Sequence, residues 1–146
     1  MTQNEKDLLF KDLCARIPYR VKVQTGETPY KTLDGMTLPD YFVEISTFQF
    51  SSIDWLGVKP YLFPLSSMTE EQCEELRNLI YEHFTLDDEF NEGIRFKTYG
   101  DILVWLDGKP INECYFIFDW FNKKHFDYRG LIPKGLAIDC TYLNIY

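Results

Sequence analysis

The stretch from Ile111 to Asp139, INECYFIFDWFNKKHFDYRGLIPKGLAID, constrains this chain most. Cys114, Ile117, Phe118 and Phe121 recur at helical spacing, while Tyr115, Phe116 and Trp120 make the other faces apolar, so the spacing predicts a helix covered on more than one side. The rest of the chain has to supply that cover. Directly after the helix come His125, Asp127, Tyr128 and Arg129, the densest group of chemically capable side chains in the sequence, and then an exit punctuated by Pro133 and Gly135.

A chain of 146 residues, 45% hydrophobic and 17% aromatic, has enough apolar side chain for one sizeable core and too little length for two ordinary domains. No run approaches the roughly 18 apolar residues of a membrane span, and MTQNEKDLLF lacks the basic end and apolar stretch of a signal peptide, so a cytoplasmic protein without membrane contact is expected. Cys14, Cys73, Cys114 and Cys140 are far apart and form no C-x-x-C; three of them fall on the apolar faces of expected helices, which favours buried reduced thiols. With only His83 and His125 to add, no metal site is expected.

The net charge of −8 is concentrated: nine acids face one base, Arg77, between Glu70 and Glu92, and elsewhere acids and bases balance. A near-neutral body with one acidic arm disfavours direct nucleic-acid binding, which needs a basic footprint, and suits a basic partner.

Along the chain, Thr2 to Ile17 reads as a helix opened by a Thr2-x-x-Glu5 capping box and ended by Pro18. Tyr19 to Thr25 and Tyr41 to Ser46 alternate as half-buried strands do, with Gly26 and Asp34-Gly35 as turns, and Phe48 to Leu56 supplies more strand. Lys59 to Ser67, with Pro60 and Pro64, reads as an extended connector. Thr69-x-x-Gln72 opens a second helix that buries Cys73, Leu76, Leu79, Ile80 and Phe84 and turns Glu71, Glu74, Glu75, Asn78 and Glu82 outward. Ile94 to Tyr99 and the continuously apolar Ile102 to Leu106 then read as a hairpin turning at Gly100-Asp101, and Asn112 as the cap of the aromatic helix. The expected fold is α+β in a single domain of 1–146. A helix and a small antiparallel meander or barrel-like subdomain occupy 1–58, the connector 59–68, and two helices packed on a short hairpin 69–146.

Three pieces, Lys59 to Glu71 (KPYLFPLSSMTEE), Phe118 to Ile132 (FDWFNKKHFDYRGLI) and Pro133 to Asp139 (PKGLAID), together with the upstream RIPYRVKV, resemble a family of small uncharacterised proteins from gut Bacteroidetes, their prophages and related mobile elements. The resemblance covers about a third of the chain. It implies a short accessory protein acting in a bacterial cytoplasm on host or rival machinery, and it carries no catalytic residues.

Three functional readings follow. In the first, the chain is a non-enzymatic binding protein that sequesters a small anionic, nucleotide-like ligand or a host protein, with Trp105, Trp120 and Tyr128 stacking a planar group, Arg129, Lys123 or Lys124 meeting its charge, and His125 and Asp127 among the ligand-binding residues. In the second, Glu71, Glu74, Glu75, Asp87 and Asp88 form an acidic decoy or adaptor surface for a basic host protein. In the third, His125 serves as the general base of a small hydrolase or transferase, with Asp127 to orient it. The bland alternative makes the His125–Arg129 turn structural: Asp127 caps it, His125 or Lys124 closes the last helical carbonyls, and Arg129 pairs with an acid. No G-x-S-x-G, Walker-type loop or dinucleotide glycine motif is present, and no cofactor is expected. Surplus rings on the aromatic helix equally suit a homodimer seam.

Overall fold

In the computed structural model, which describes residues 1–26, 28–37, 42–45, 49–52, 57–83, 99–107 and 111–146, the chain opens with the expected capping box. Glu5 N donates to Thr2 Oγ1 at 3.2 Å and Thr2 N donates to the Glu5 carboxylate at 2.8 Å, which satisfies two of the N–H groups a helix leaves open at its start. Helix α1 runs Gln3–Arg16 and passes into a 3-10 turn, Ile17–Tyr19, where Pro18 removes the next donor; Arg20, in the left-handed region at φ 55°, redirects the chain.

The fold is α+β. Strands β1 (Lys22–Thr25), β2 (Thr28–Thr37), β3 (Phe42–Ile45) and β4 (Gln49–Ser52) form the antiparallel meander, and β5 (Lys59–Leu62) and β6 (Ile138–Asp139) extend it to the sheet order β4-β3-β2-β1-β5-β6. Asp34-Gly35 does not turn the chain. It lies inside β2 at a bulge, where Leu33 pairs with Ile45 and Gly35 with Glu44, leaving one extra residue on the β2 side.

The stretch read as a connector is extended, and it is paired on both edges. Val23 of β1 faces Pro60 antiparallel, while Tyr61 and Leu62 pair in parallel with Ile138 and Asp139. Behind this part of the sheet lies a core of Leu9, Leu13, Val21, Val23, Val58, Leu62, Leu131, Leu136 and Ala137. The chain divides into two compact units, one formed by Met1–Pro64 with Asn122–Tyr146 and the other by Leu65–Phe121.

The second unit contains α2 (Glu70–His83), α3 (Tyr99–Leu106) and, as far as Phe121, α4 (Ile111–Lys123). The second capping box is also present: Gln72 N donates to Thr69 Oγ1 at 3.2 Å and Thr69 N donates to Gln72 Oε1 at 3.0 Å. Cys73, Leu76 and Ile80 are buried, Leu79 is partly so, and Phe84 lies outside the described residues. His83 stacks on Phe116 with ring centroids 4.0 Å apart, joining α2 to α4.

Helix α3 corrects the expected hairpin, because Gly100-Asp101 and the run Ile102 to Leu106 are one helix. A five-residue apolar run carries no period by which to tell a strand from a helix segment. Nor is it covered on both faces: Ile102 is fully buried, but Val104 is 77% exposed. Asn112 lies within the first turn of α4 instead of capping it. Cys14 is exposed, one residue round the helix from buried Leu13, whereas Cys73, Cys114 and Cys140 are buried; all four are free thiols. The segments Ile53 to Leu56 and Ile94 to Thr98, expected to be strand, lie outside the described residues.

Truncating a side chain at the centre of the first core should separate buried from exposed apolar positions. Leu62→Ala is expected to lower stability by about 3 kcal/mol, whereas Val104→Ala should stay within about 0.5 kcal/mol, read as shifts in the urea unfolding midpoint. A large loss at Val104 would show that its side chain is packed and not exposed.

Candidate functional site: the turn after the aromatic helix

The turn that follows α4 is held by backbone pairing with the continuation of β5. Phe63 N donates to His125 O at 2.9 Å, and Asp127 N donates to Phe63 O at 2.8 Å, so residues 125–127 lie alongside Phe63 as a short parallel bridge. Cys140 N donates to Leu62 O at 2.9 Å one residue earlier. His125 closes the helix with its backbone, its N–H donating to Asn122 O at 3.2 Å, and leaves at φ 63°. That left-handed conformation costs a non-glycine residue roughly 1 kcal/mol or more, so the pairing on either side has to impose it.

Asp127 performs the capping role. Its Oδ1 accepts from Leu131 N and its Oδ2 from Ile132 N, both at 2.8 Å, and the residue is buried. Both oxygens thereby hold the loop that delivers Leu131 to the core.

Arg129 finds its acid on the first helix. Its Nε lies 3.2 Å from Asp12 Oδ1, an ion-pair distance with the N–H out of line for a hydrogen bond, while its Nη2 donates to Tyr128 Oη at 2.7 Å. The guanidinium carbon stands 4.8 Å from the Tyr128 ring centroid. The same carboxylate holds Arg16: Nε to Oδ2 at 2.7 Å and Nη2 to Oδ1 at 3.1 Å, with Nη2 also donating to Phe126 O at 2.7 Å. Asp12 and Arg16 are both fully buried.

The sequence reading missed this pair, although a signal was there. Leu9, Asp12, Leu13 and Arg16 fall at i, i+3, i+4 and i+7, the positions of a buried helical stripe, and two of the four carry opposite charge one turn apart.

His125 is buried, and the Tyr146 ring stacks on it with centroids 3.7 Å apart and planes 12° apart. Tyr146 is fixed in turn, its hydroxyl donating to Tyr61 O at 3.0 Å and accepting from Lys22 N at 2.8 Å. Among the described residues no hydrogen bond reaches the imidazole, and Nδ1 is buried without a partner. Burial, with the charges of Arg16 and Lys22, pushes its pKa down to about 4. A neutral ring under a tyrosine, with Asp127 engaged elsewhere, lacks the oriented carboxylate that a general base requires.

The remaining expected ligand residues are distributed over both units. Trp120 is buried in the helical unit, with Phe116 and Phe121 also enclosed, and Trp105 is partly buried there. His125, Asp127, Tyr128 and Arg129 belong to the other unit. Tyr115 is the exposed ring of α4, at 58%. A cavity of about 230 Å³ lined by Lys22, Leu143, Asn144 and Ile145 involves none of the expected ligand residues. Among the described residues no group of His, Cys, Asp and Glu is arranged to hold a metal ion, and no helix is long and apolar enough to cross a membrane. Burial and the neighbouring Asp139 charge push the Cys140 thiol up to about 12, far from reactive thiolate.

Glu71, Glu74 and Glu75 are exposed along α2, with Glu82 a turn and more further on; Asp87 and Asp88 lie outside the described residues. Compared with known protein families, with curated proteins and with solved structures, the chain matches none.

Two measurements test the turn. Asp127→Ala removes both acceptors and strands the Leu131 N–H in the interior, so a loss of about 3 kcal/mol is expected, and Asp127→Asn, which keeps one acceptor oxygen, should lose about half of that. No loss in either variant would show that the carboxylate bonds are idle. For His125 the folded pKa of about 4 lies below the unfolded value near 6.5, so between these limits the unfolded chain holds a proton that the fold does not. Its contribution is therefore complete above about pH 6.5 and is lost as pH falls towards 4, on the order of 2 kcal/mol once residual solvent contact is allowed for. His125→Asn, which tolerates the positive φ, should flatten the pH dependence of the unfolding free energy in that window. An unchanged slope would mean that the imidazole titrates freely.

Proposed function

We propose that this chain is a non-enzymatic accessory protein of phage or mobile-element origin that binds a basic host protein through the acidic face of α2. The observation that carries the reading is where charge is buried and where acids are exposed. In the turn after α4, Asp127 caps, Arg129 pairs with Asp12, and His125 lies neutral beneath Tyr146. On α2, Glu71, Glu74 and Glu75 all face solvent on one short length of helix.

Such a surface attracts a basic partner over roughly a Debye length and steers its approach. Affinity needs a desolvated anchor as well, and aromatic side chains commonly provide one. The same unit exposes Tyr115 and, at 77%, Val104. A nucleotide-like ligand is less well supported, because Trp120 is enclosed and Arg129 already has an acid.

The test pairs capture with charge reversal. Wild-type protein immobilised against host extract should retain a basic protein, identified by mass spectrometry. A Glu71→Lys/Glu74→Lys/Glu75→Lys variant should retain it about tenfold less, as should wild type in high salt. Undiminished capture by the triple variant would remove the reading.

A further inference from the structure

Residues 141–146 follow β6 without helix or strand and are fastened at both ends. At the near end, Cys140 N donates to Leu62 O at 2.9 Å and Thr141 N donates to Asp139 Oδ1 at 3.0 Å. At the far end, Lys22 Nζ donates to Ile145 O at 3.1 Å, and the Tyr146 ring lies on His125. The middle stands in solvent. Tyr142 is 96% exposed and Leu143 44%, Asn144 turns the chain at φ 52°, and the cavity of about 230 Å³ lies among Lys22, Leu143, Asn144 and Ile145.

The Tyr146 hydroxyl takes the place of a rung of the sheet. Val23 pairs with Pro60 and Gln24 with Lys59, so the antiparallel register sets Lys22 opposite Tyr61. The hydroxyl stands between those two, accepting from Lys22 N at 2.8 Å and donating to Tyr61 O at 3.0 Å. Such a fastening is exchangeable, because a water can bridge the same donor and acceptor once the hydroxyl leaves.

Departure of Tyr146 would uncover His125, which is 8% exposed and whose Nδ1 is buried without a hydrogen-bond partner. Burial opposes a charge on this ring, as do the cations Arg16 from α1 and Lys22 from β1. Asp12 on α1 and Asp127 in the turn are the carboxylates of the neighbourhood, and with them present the balance still holds the imidazole down to about 4. Tyr61 from β5 and Cys140 complete the titratable groups around Tyr146, whose own phenol burial raises above its ordinary value and keeps neutral. An imidazole restored to water titrates near 6.5. Between these values the uncovered form holds a proton that the covered form does not, so acid favours uncovering.

We propose that residues 141–146 are an acid-released strap: protonation of His125 displaces the Tyr146 ring and frees the segment from the start of β1, while Cys140 stays fixed as its hinge. The two ionisation limits bound the gain in release at about thirtyfold at pH 5. The tyrosine face attracts an imidazolium and takes part of this back, so about tenfold is expected. The inference is independent of the acidic face of α2, since the strap, β1, β5 and the turn all belong to the other unit.

The test is amide hydrogen exchange of the full chain, resolved by NMR at pH 7 and pH 5 and corrected for the intrinsic rate. Lys22 N–H, whose acceptor is the Tyr146 hydroxyl, should lose about tenfold in protection, while Cys140 N–H at the hinge keeps its own. In His125→Asn, which tolerates the positive φ, Lys22 protection should be the same at both pH values. Unchanged protection of Lys22 in the wild type would overturn the proposal. So would a fall shared by Cys140, which is loosening of the whole unit, or an equal fall in the variant. The wild-type comparison of Lys22 with Cys140 decides the matter even where the variant folds poorly.

Discussion

The Asp12 carboxylate is the point at which the first helix is tied to a loop more than a hundred residues away in sequence. Through Arg16 it reaches Phe126 O, and directly it reaches Arg129, so α1 and the turn after α4 are joined by a fully buried charge-assisted link and by a second, partly exposed ion pair. Buried ion pairs are weak evidence for net stability, because desolvation offsets much of the Coulomb gain. Their value lies in directionality. An apolar contact would hold α1 against the sheet in many rotational settings, while a carboxylate gripped along one guanidinium edge and touched by a second permits few.

The turn is then over-determined from three sides. Phe63 pairs with it through two backbone hydrogen bonds, Asp127 locks its exit, and the Tyr146 ring covers His125. This accounts for a histidine at φ 63°, a conformation the residue would not choose alone. A constellation that looks catalytic on paper thus becomes a joint. Side chains dense enough to suggest chemistry are the ones a tight junction between a helix end, a strand end and a returning chain requires, since each exposes backbone groups that must be paired inside.

Local features were legible in the sequence and long-range ones were not, and the physical reason is consistent. Both capping boxes lie where Thr2 and Thr69 announce them, because donor and acceptor stand three residues apart and need nothing else. Val21 and Val23 alternate with polar neighbours and are buried as that pattern implies. Lys59 to Leu62, by contrast, contains a proline, which argues against an interior strand; its pairing depends on β1 and on Ile138, nearly eighty residues on. The helix at Tyr99–Leu106 was hidden because its apolar run has no period, and the bulge at Gly35 because Asp-Gly is also the commonest hairpin signal. At the candidate site the bland assignment of Asp127 and Arg129 could be read in advance, but the identity of the acid could not, since Asp12 and Arg129 are joined only by the fold.

The placement of charge follows from the same division. Where ionised groups are buried, in the first unit, they are engaged: Asp12 with two arginines and Asp127 with two amides, as the cost of isolating a charge from water demands. Where acids accumulate, on α2, they stand in solvent on the polar side of a helix whose other side carries Cys73, Leu76 and Ile80. Repulsion among them is tolerable there because water and salt screen it. An interior so arranged holds the architecture and has little charge to offer a partner, whereas the glutamates of α2 are exposed, with Glu70 and Glu71 in the first turn, where the helix dipole favours an acid. The dipole accounts for the sign of the first two, while Glu74 and Glu75 continue it along the same exposed face beyond the first turn.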